Sequence, residues 1–169
     1  MPTFKTPKEL EDAINKGLMK TINDGSAKAH QVIEKALHKF YGESEPAFTR
    51  RTGQILNSLV KTSVTGGGGT YRASVYFDVG ALHHPDSYVG KTGITIESDY
   101  SEQEILETVM TSKYHGGKWS GAWRSGQWQT GKTGTSKGTA VWTESMMELD
   151  AEFIEFLKNE LISNGIPVV

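Results

Sequence analysis

Gly126-Gln127-Trp128-Gln129-Thr130-Gly131-Lys132-Thr133 matches the phosphate-loop pattern G-x-x-x-x-G-K-T letter for letter. That pattern grips a nucleotide only when a buried strand delivers the chain into the loop and a helix leaves it, so that backbone N–H groups converge on the phosphates. Upstream, Ser120-Gly121-Ala122-Trp123-Arg124-Ser125 is not a Val/Ile-rich strand, and downstream Gly134-Thr135-Ser136-Lys137-Gly138 cannot begin a stable helix. Nucleotide binding is therefore not expected. His83, His84, Asp86 and His115 are the candidates for a metal or acid–base site. Zinc needs three or four ligands converging from fixed elements, whereas the first three of these surround Pro85 in an irregular stretch that reads as a surface loop. Ser58 and Ser101 have no neighbouring base pattern, Ser101 looks like a helix cap, and zero cysteine removes thiolate chemistry. No catalytic residue, metal or cofactor is expected.

The residues that can bind lie elsewhere. Residues 113–143 hold five basic side chains, no acidic one, all four tryptophans and seven of the 19 glycines. Lys118, Trp119, Trp123, Arg124, Trp128 and Lys132 are its candidate contact residues. Aromatic stacking with basic side chains holds single-stranded nucleic acid, and Trp-rich loops also line sugar sites. Trp and Arg are equally the residues enriched at protein contacts. With few aliphatic residues, the segment reads as a mobile loop insertion that a partner orders, or as a long hairpin folded onto its own domain. The rest of the chain carries a balance of −7, which repels DNA and favours a protein partner over nucleic acid.

Three helices position this segment. Thr6-Pro7-Lys8-Glu9 is a capping box with proline at the first helical position. Leu10, Ile14, Leu18, Ile22, Ala29, Val32, Ile33, Ala36, Leu37 and Phe40 follow at helical spacing, with a kink or break expected at Asn23-Asp24-Gly25-Ser26. Gln54 to Val64 begins as a helical turn and becomes extended. Tyr71 to Val79 alternates as one half-buried strand, with Gly66 to Gly69 as a mobile hairpin tip. Thr92 to Ile96 is a possible short strand. Ser101-Glu102-Gln103-Glu104 opens a short helix that Gly116-Gly117 can end, and Ser145-Met146-Met147-Glu148 opens a last helix closed by Gly165 and Pro167. The outline is α+β: a long N-terminal helix, a small antiparallel sheet of two to four strands, a short helix, a long Gly/Trp-rich loop and a C-terminal helix.

At 169 residues one domain, 1–169, is the default, large enough to bury a core without disulfides. No apolar run approaches the roughly 20 residues that span a bilayer, and Met1 to Lys8 lacks a signal-peptide hydrophobic region, so a soluble cytoplasmic protein with no membrane partner is expected. The formal charge of −2 is a cancellation. Residues 1–40 carry +2, 41–112 carry −4, 113–143 carry +5 and 144–169 carry −5.

The stretch from Phe40-Tyr41 through Phe48-Thr49-Arg50-Arg51-Thr52-Gly53-Gln54-Ile55-Leu56-Asn57-Ser58-Leu59 resembles the Tyr, spacer, aromatic, Arg-Thr-Gly-x-Leu-x-x-Ser pattern of the neck and tail-completion proteins of long-tailed bacteriophages. The last helix, Phe153 to Leu161, and the ending Gly165-Ile166-Pro167 are also similar to that family's. The Trp-rich insertion and the lack of an aromatic-Glu-x-Gly-Thr segment depart from it. The resemblance implies a structural virion subunit, made in the host cytoplasm, that forms a hexameric ring at the head–tail joint. Its partners would be itself, the connector or stopper proteins, and the tail terminator or tail tube, with DNA passing through the lumen. Arg50 and Arg51 then either position their loop or contact a partner. A basic 113–143 segment meeting an acidic surface of an adjacent copy, such as Glu148, Glu152 and Glu155, would follow from the charge pattern. The alternative is a nucleic-acid- or glycan-binding module working through the Trp/Lys loop.

Overall fold

Helix α1 spans Pro7–Glu43. Its start is the expected cap: the Glu9 N–H donates to Thr6 Oγ1 at 3.2 Å, and the Glu9 carboxylate reaches back to accept from the Lys5 N–H at 2.7 Å. In this computed structural model the described residues are 4–43, 54–82, 87–89, 95–97, 101–103, 106, 110, 123–124, 127–128 and 141–168, with backbone alone described at 40–43, 87–89, 95–97, 123–124 and 127–128.

The expected break at Asn23 to Ser26 does not occur. The helix is unbroken there, and Gly25 is a site of close approach: a Cβ would lie 2.8 Å from Leu157 Cδ2 and 3.5 Å from Phe153 Cζ. The packing energy of that contact outweighs the roughly 1 kcal/mol that glycine costs a helix. Ser26 turns its hydroxyl inward and donates to the Asn23 carbonyl at 2.8 Å.

A short helix α2 (Gln54–Asn57) leads into strand β1 (Leu59–Lys61), as the sequence suggests. Strands β2 (Thr65–Gly67) and β3 (Thr70–Arg72) form an antiparallel hairpin, Gly67 pairing with Thr70. The four glycines are therefore not a loose tip. Gly66 and Gly67 belong to β2, while Gly68 and Gly69 make a tight two-residue turn with φ of +59° and +83°, the left-handed geometry whose twist matches a hairpin.

The single strand expected from Tyr71 to Val79 divides into β3 and β4 (Val75–Phe77). Half-buried and exposed residues still alternate from Tyr71 to Gly80, so the period is right and only the partner changes. At the division Thr62 takes over: its N–H donates to the Ser74 carbonyl, and its hydroxyl accepts from the Ser74 N–H. β4 pairs with β1. Further two-stranded antiparallel ladders are β5 (Ser87–Val89) with β6 (Thr95–Glu97), and β7 (Trp123–Arg124) with β8 (Gln127–Trp128).

Helix α3 spans Val141–Ser163. It begins four residues before the expected cap. Ser145 is not a cap but a buried interior residue whose hydroxyl donates to the Val141 carbonyl at 2.7 Å. The helix starts early because Val141, wholly buried, is carried into the core. At the other end the expectation holds. Gly165, at φ +82°, donates to the Ile162 carbonyl, and the Ile166 N–H donates to the Leu161 carbonyl, the paired bonds of a Schellman cap.

The chain gathers into two compact units: Met1–Val32 with Val60–Tyr76 and Glu148–Val169, and Ile33–Leu59 with Phe77–Met147. The second is built on Ile33, Ala36, Leu37, Leu59, Leu106, Met110 and Val141. Its buried Ser58 is fully engaged: the hydroxyl donates to the Ile55 carbonyl, the N–H to the Gln54 carbonyl, and its own carbonyl accepts from Asp78 N–H. Lys39 pairs with Glu144 at 2.6 Å in the same unit.

Candidate interaction surface

In the first unit α1 meets α3 through small residues. Gly17, Thr21 and Gly25 recur at four-residue spacing and are all buried, so α3 can approach the α1 backbone. Leu157 and Phe153 cover Gly25. Ile166 and the Asn164 carbonyl cover Gly17, where a Cβ would meet them at 2.9 and 3.1 Å. Between them Thr21 Oγ1 accepts from Asn164 Nδ2 at 3.2 Å, which satisfies both polar groups. Lys61, on β1, reaches the same helix and donates to Asn23 Oδ1.

Charges line this seam. Lys20 Nζ lies 2.8 Å from Asp24 and 3.9 Å from Glu160, and Lys28 lies 3.8 Å from Glu152. The hydrogen bond between Lys20 and Asp24 lowers the carboxyl's pKa below its ordinary value and raises the ammonium's above its own. Lys20 and Lys28 of α1 thus match Glu160 and Glu152 of α3 in reverse order, so the helices run antiparallel. Part of the acidity of residues 144–169 is balanced by α1 of the same chain. Glu152, assigned from charge pattern to an adjacent copy, already has a partner in Lys28.

The apolar stripe of α1 does not end with the seam. Leu10 and Ile14 continue it, each four residues from the next member, yet they stand N-terminal to Gly17, where Asn164 and Ile166 seat just past the end of α3. They are 43% and 40% exposed. On α3, Ile154 and Ile162 face outward at 66% and 57% exposure. Phe4, Met19 and Val168 add to the uncovered apolar area of this unit. These exposed apolar side chains are candidate contact points for another molecule.

Of the sequence-derived contact residues, Trp123, Arg124 and Trp128 fall on the β7–β8 hairpin, whose register pairs Trp123 with Trp128 and Arg124 with Gln127. This pairing also bears on the phosphate-loop match. Two of its four variable positions, Gln127 and Trp128, are hairpin strand and not an arc of backbone around an anion. Arg50, Arg51, Lys118, Trp119 and Lys132 lie outside the described residues, as do His83, His84, Asp86 and His115. Trp142 lies on the first turn of α3 and is exposed. Among the described residues no three His, Asp or Glu side chains converge as metal ligands, and no helix is long and apolar enough to cross a membrane.

No protein-family model, curated protein or solved structure matches the chain. Its surface must speak for it. Sequence reasoning passed over two features of the described surface. The uncovered start of α1 was hidden because Leu10 and Ile14 share the period of the buried stripe. The outer isoleucines of α3 were hidden because the last helix is apolar on more than one side. The signal that could have found the seam was the small residues at four-residue spacing.

Proposed function

We infer that the chain is a structural subunit of a bacteriophage head–tail connector, one that forms a ring between the portal side and the tail and works by binding, without chemistry. The observation that carries this reading is the Phe40 to Leu59 pattern, which resembles that of neck and tail-completion proteins, together with the use the fold makes of its final serine. Ser58 is wholly buried, and all its hydrogen-bonding groups serve the junction between α2, β1 and the end of β4. The order of elements, a long leading helix, short helix, small sheet and closing helix, supports the same reading. So does the uncovered apolar area on α1 and α3, since a ring subunit must offer one face to fit a different face of the next copy. Virion localisation and a hexameric ring belong to this proposal.

The test is assembly. The purified chain, alone and mixed with phage connector, tail-terminator and tail-tube proteins, is expected to give discrete ring-sized masses by native mass spectrometry. A chain that stays monomeric in every mixture refutes the reading. The pairing of Trp123 with Trp128 in the β7–β8 hairpin favours one second reading, a module that binds single-stranded nucleic acid or glycan. Saturable oligonucleotide or sugar binding that is lost in Trp123→Ala and Trp128→Ala would support it over the connector.

A further inference from the structure

Of the chain's five asparagines, Asn164 is the one followed by glycine. That step has a chemistry of its own. The Gly165 amide nitrogen, once deprotonated, can attack Asn164 Cγ: an N–Cγ bond forms, the Cγ–Nδ2 bond breaks and ammonia leaves, closing a succinimide ring. Water then opens the ring at either carbonyl and leaves aspartate or isoaspartate. Glycine has no Cβ to crowd the attacking nitrogen, so this step closes more readily than those at the other asparagines.

The fold occupies both reacting groups. Asn164 Nδ2 donates to the Glu160 carbonyl at 2.8 Å and to Thr21 Oγ1 at 3.2 Å, which ties the side-chain amide back along α3 and across to α1. The Gly165 N–H is spent on the Ile162 carbonyl at 3.0 Å, one of the paired bonds of the cap. Attack requires that proton to leave and Cγ to come away from both anchors. Thr21 is only 2% exposed, so one anchor lies inside the small-residue seam, between Gly17 and Gly25. Freeing Asn164 means lifting the end of α3 from α1.

We propose that Asn164-Gly165 is a self-modifying site governed by the α1–α3 seam: silent while the seam is closed, and converted to aspartate or isoaspartate when the end of α3 opens. The product does not close as before. It replaces the Nδ2 donor by a carboxylate oxygen, which the Glu160 carbonyl repels and which the negative end of a helix disfavours. Thr21 can turn its hydroxyl to donate, so the loss falls on the α3 side. Isoaspartate also adds a main-chain carbon between residues 164 and 165. That shifts the cap donors Gly165 and Ile166 out of register and takes Ile166 off Gly17. A passing opening thereby becomes permanent, with water the one reactant consumed. The proposal does not depend on the connector reading.

Peptide mass spectrometry of the full chain, incubated at mildly alkaline pH with and without urea, tests it, with the two products separated by chromatography. In urea Asn164 is expected to convert first among the asparagines. In the native protein it should convert at least about tenfold more slowly, because the rate is scaled by the fraction of time the seam is open. Thr21→Val removes the acceptor at similar volume and should speed native conversion several-fold while leaving the rate in urea unchanged. Independently of that variant, urea below the unfolding transition should raise the wild-type rate. Asn164→Asp, the ordinary product, should melt below wild type. Slow conversion of Asn164 in urea, equal rates in native and unfolded chains, a folded Thr21→Val protein that converts at the wild-type rate, a rate flat in low urea, or an Asn164→Asp protein that melts at or above wild type overturns the proposal.

Discussion

Replacing Gly25 by valine tests whether the small-residue seam holds α1 and α3 together. At a solvent-facing position inside the helix, valine would be the better residue, since glycine costs up to about 1 kcal/mol relative to ordinary helix formers. In the seam the balance reverses. The first added carbon would already lie 2.8 Å from Leu157 Cδ2, and 3.5 Å from Phe153 Cζ. Valine's two further methyls must find room in the same gap. Overpacking of this kind costs about 1–3 kcal/mol, which exceeds the propensity gain. For a chain of this size each kcal/mol moves the melting temperature by about 2–4 °C, so a fall of several degrees is expected in thermal melts followed by circular dichroism. Gly25→Ala is milder, because the nearest atom is the movable end of a leucine, and should lie within about 1 kcal/mol of wild type. Shortening the opposing residue supplies the control: in a Leu157→Ala background, Gly25→Ala should be stabilising. A Gly25→Val protein that melts at or above the wild-type temperature would refute the close approach.

In the β2–β3 hairpin, Gly66→Ala drives a Cβ into the Thr70 carbonyl oxygen and should speed amide exchange from Thr65 to Arg72, whereas Gly68→Asn, at φ +59° with nothing near it, should leave exchange unchanged or slower. The Lys20–Asp24 contact gives a pH signature with a definite sign. Asp24, lowered from 3.8 chiefly by the hydrogen bond from Lys20, adds stability that is fully present above 3.8 and lost as pH falls through its lowered pKa. Lys20, raised from 10.5 chiefly by the same hydrogen bond, adds stability present below 10.5 and lost as pH rises through its raised pKa. Chemical denaturation should therefore find Asp24→Asn slightly less stable than wild type at neutral pH, more so in low salt, with the gap closing in acid. A gap that widens on acidification would contradict the assignment.

Local signals were legible where the physics is local. The Thr6 cap, the α2 turn, the alternation from Tyr71 to Gly80 and the glycine stop at Gly165 all depend on residues within five of each other, and the chain builds each as its sequence suggests. What was not legible depended on burial and pairing that only the folded chain supplies. Gly25 reads as a helix breaker until Leu157, 132 positions later, is set on top of it. Ser145 reads as a cap until Val141 is found buried. The four glycines read as slack until Thr70 supplies the opposite strand. The candidate surface follows the same rule: Leu10 and Ile14 have the period of core residues, and only the place where α3 ends leaves them outside.

That ending has a consequence of its own. Because Asn164 and Ile166, just past the end of α3, rest on Gly17, the part of α1 before that glycine lies beyond the small-residue seam. The length of the N-terminal segment can then vary without altering the small-residue seam at Gly17, Thr21 and Gly25. Gly17 acts as the zero mark of a ruler: residues on one side answer to the fold, and those on the other to whatever the protein must span. A lineage could retune the second without reopening the first.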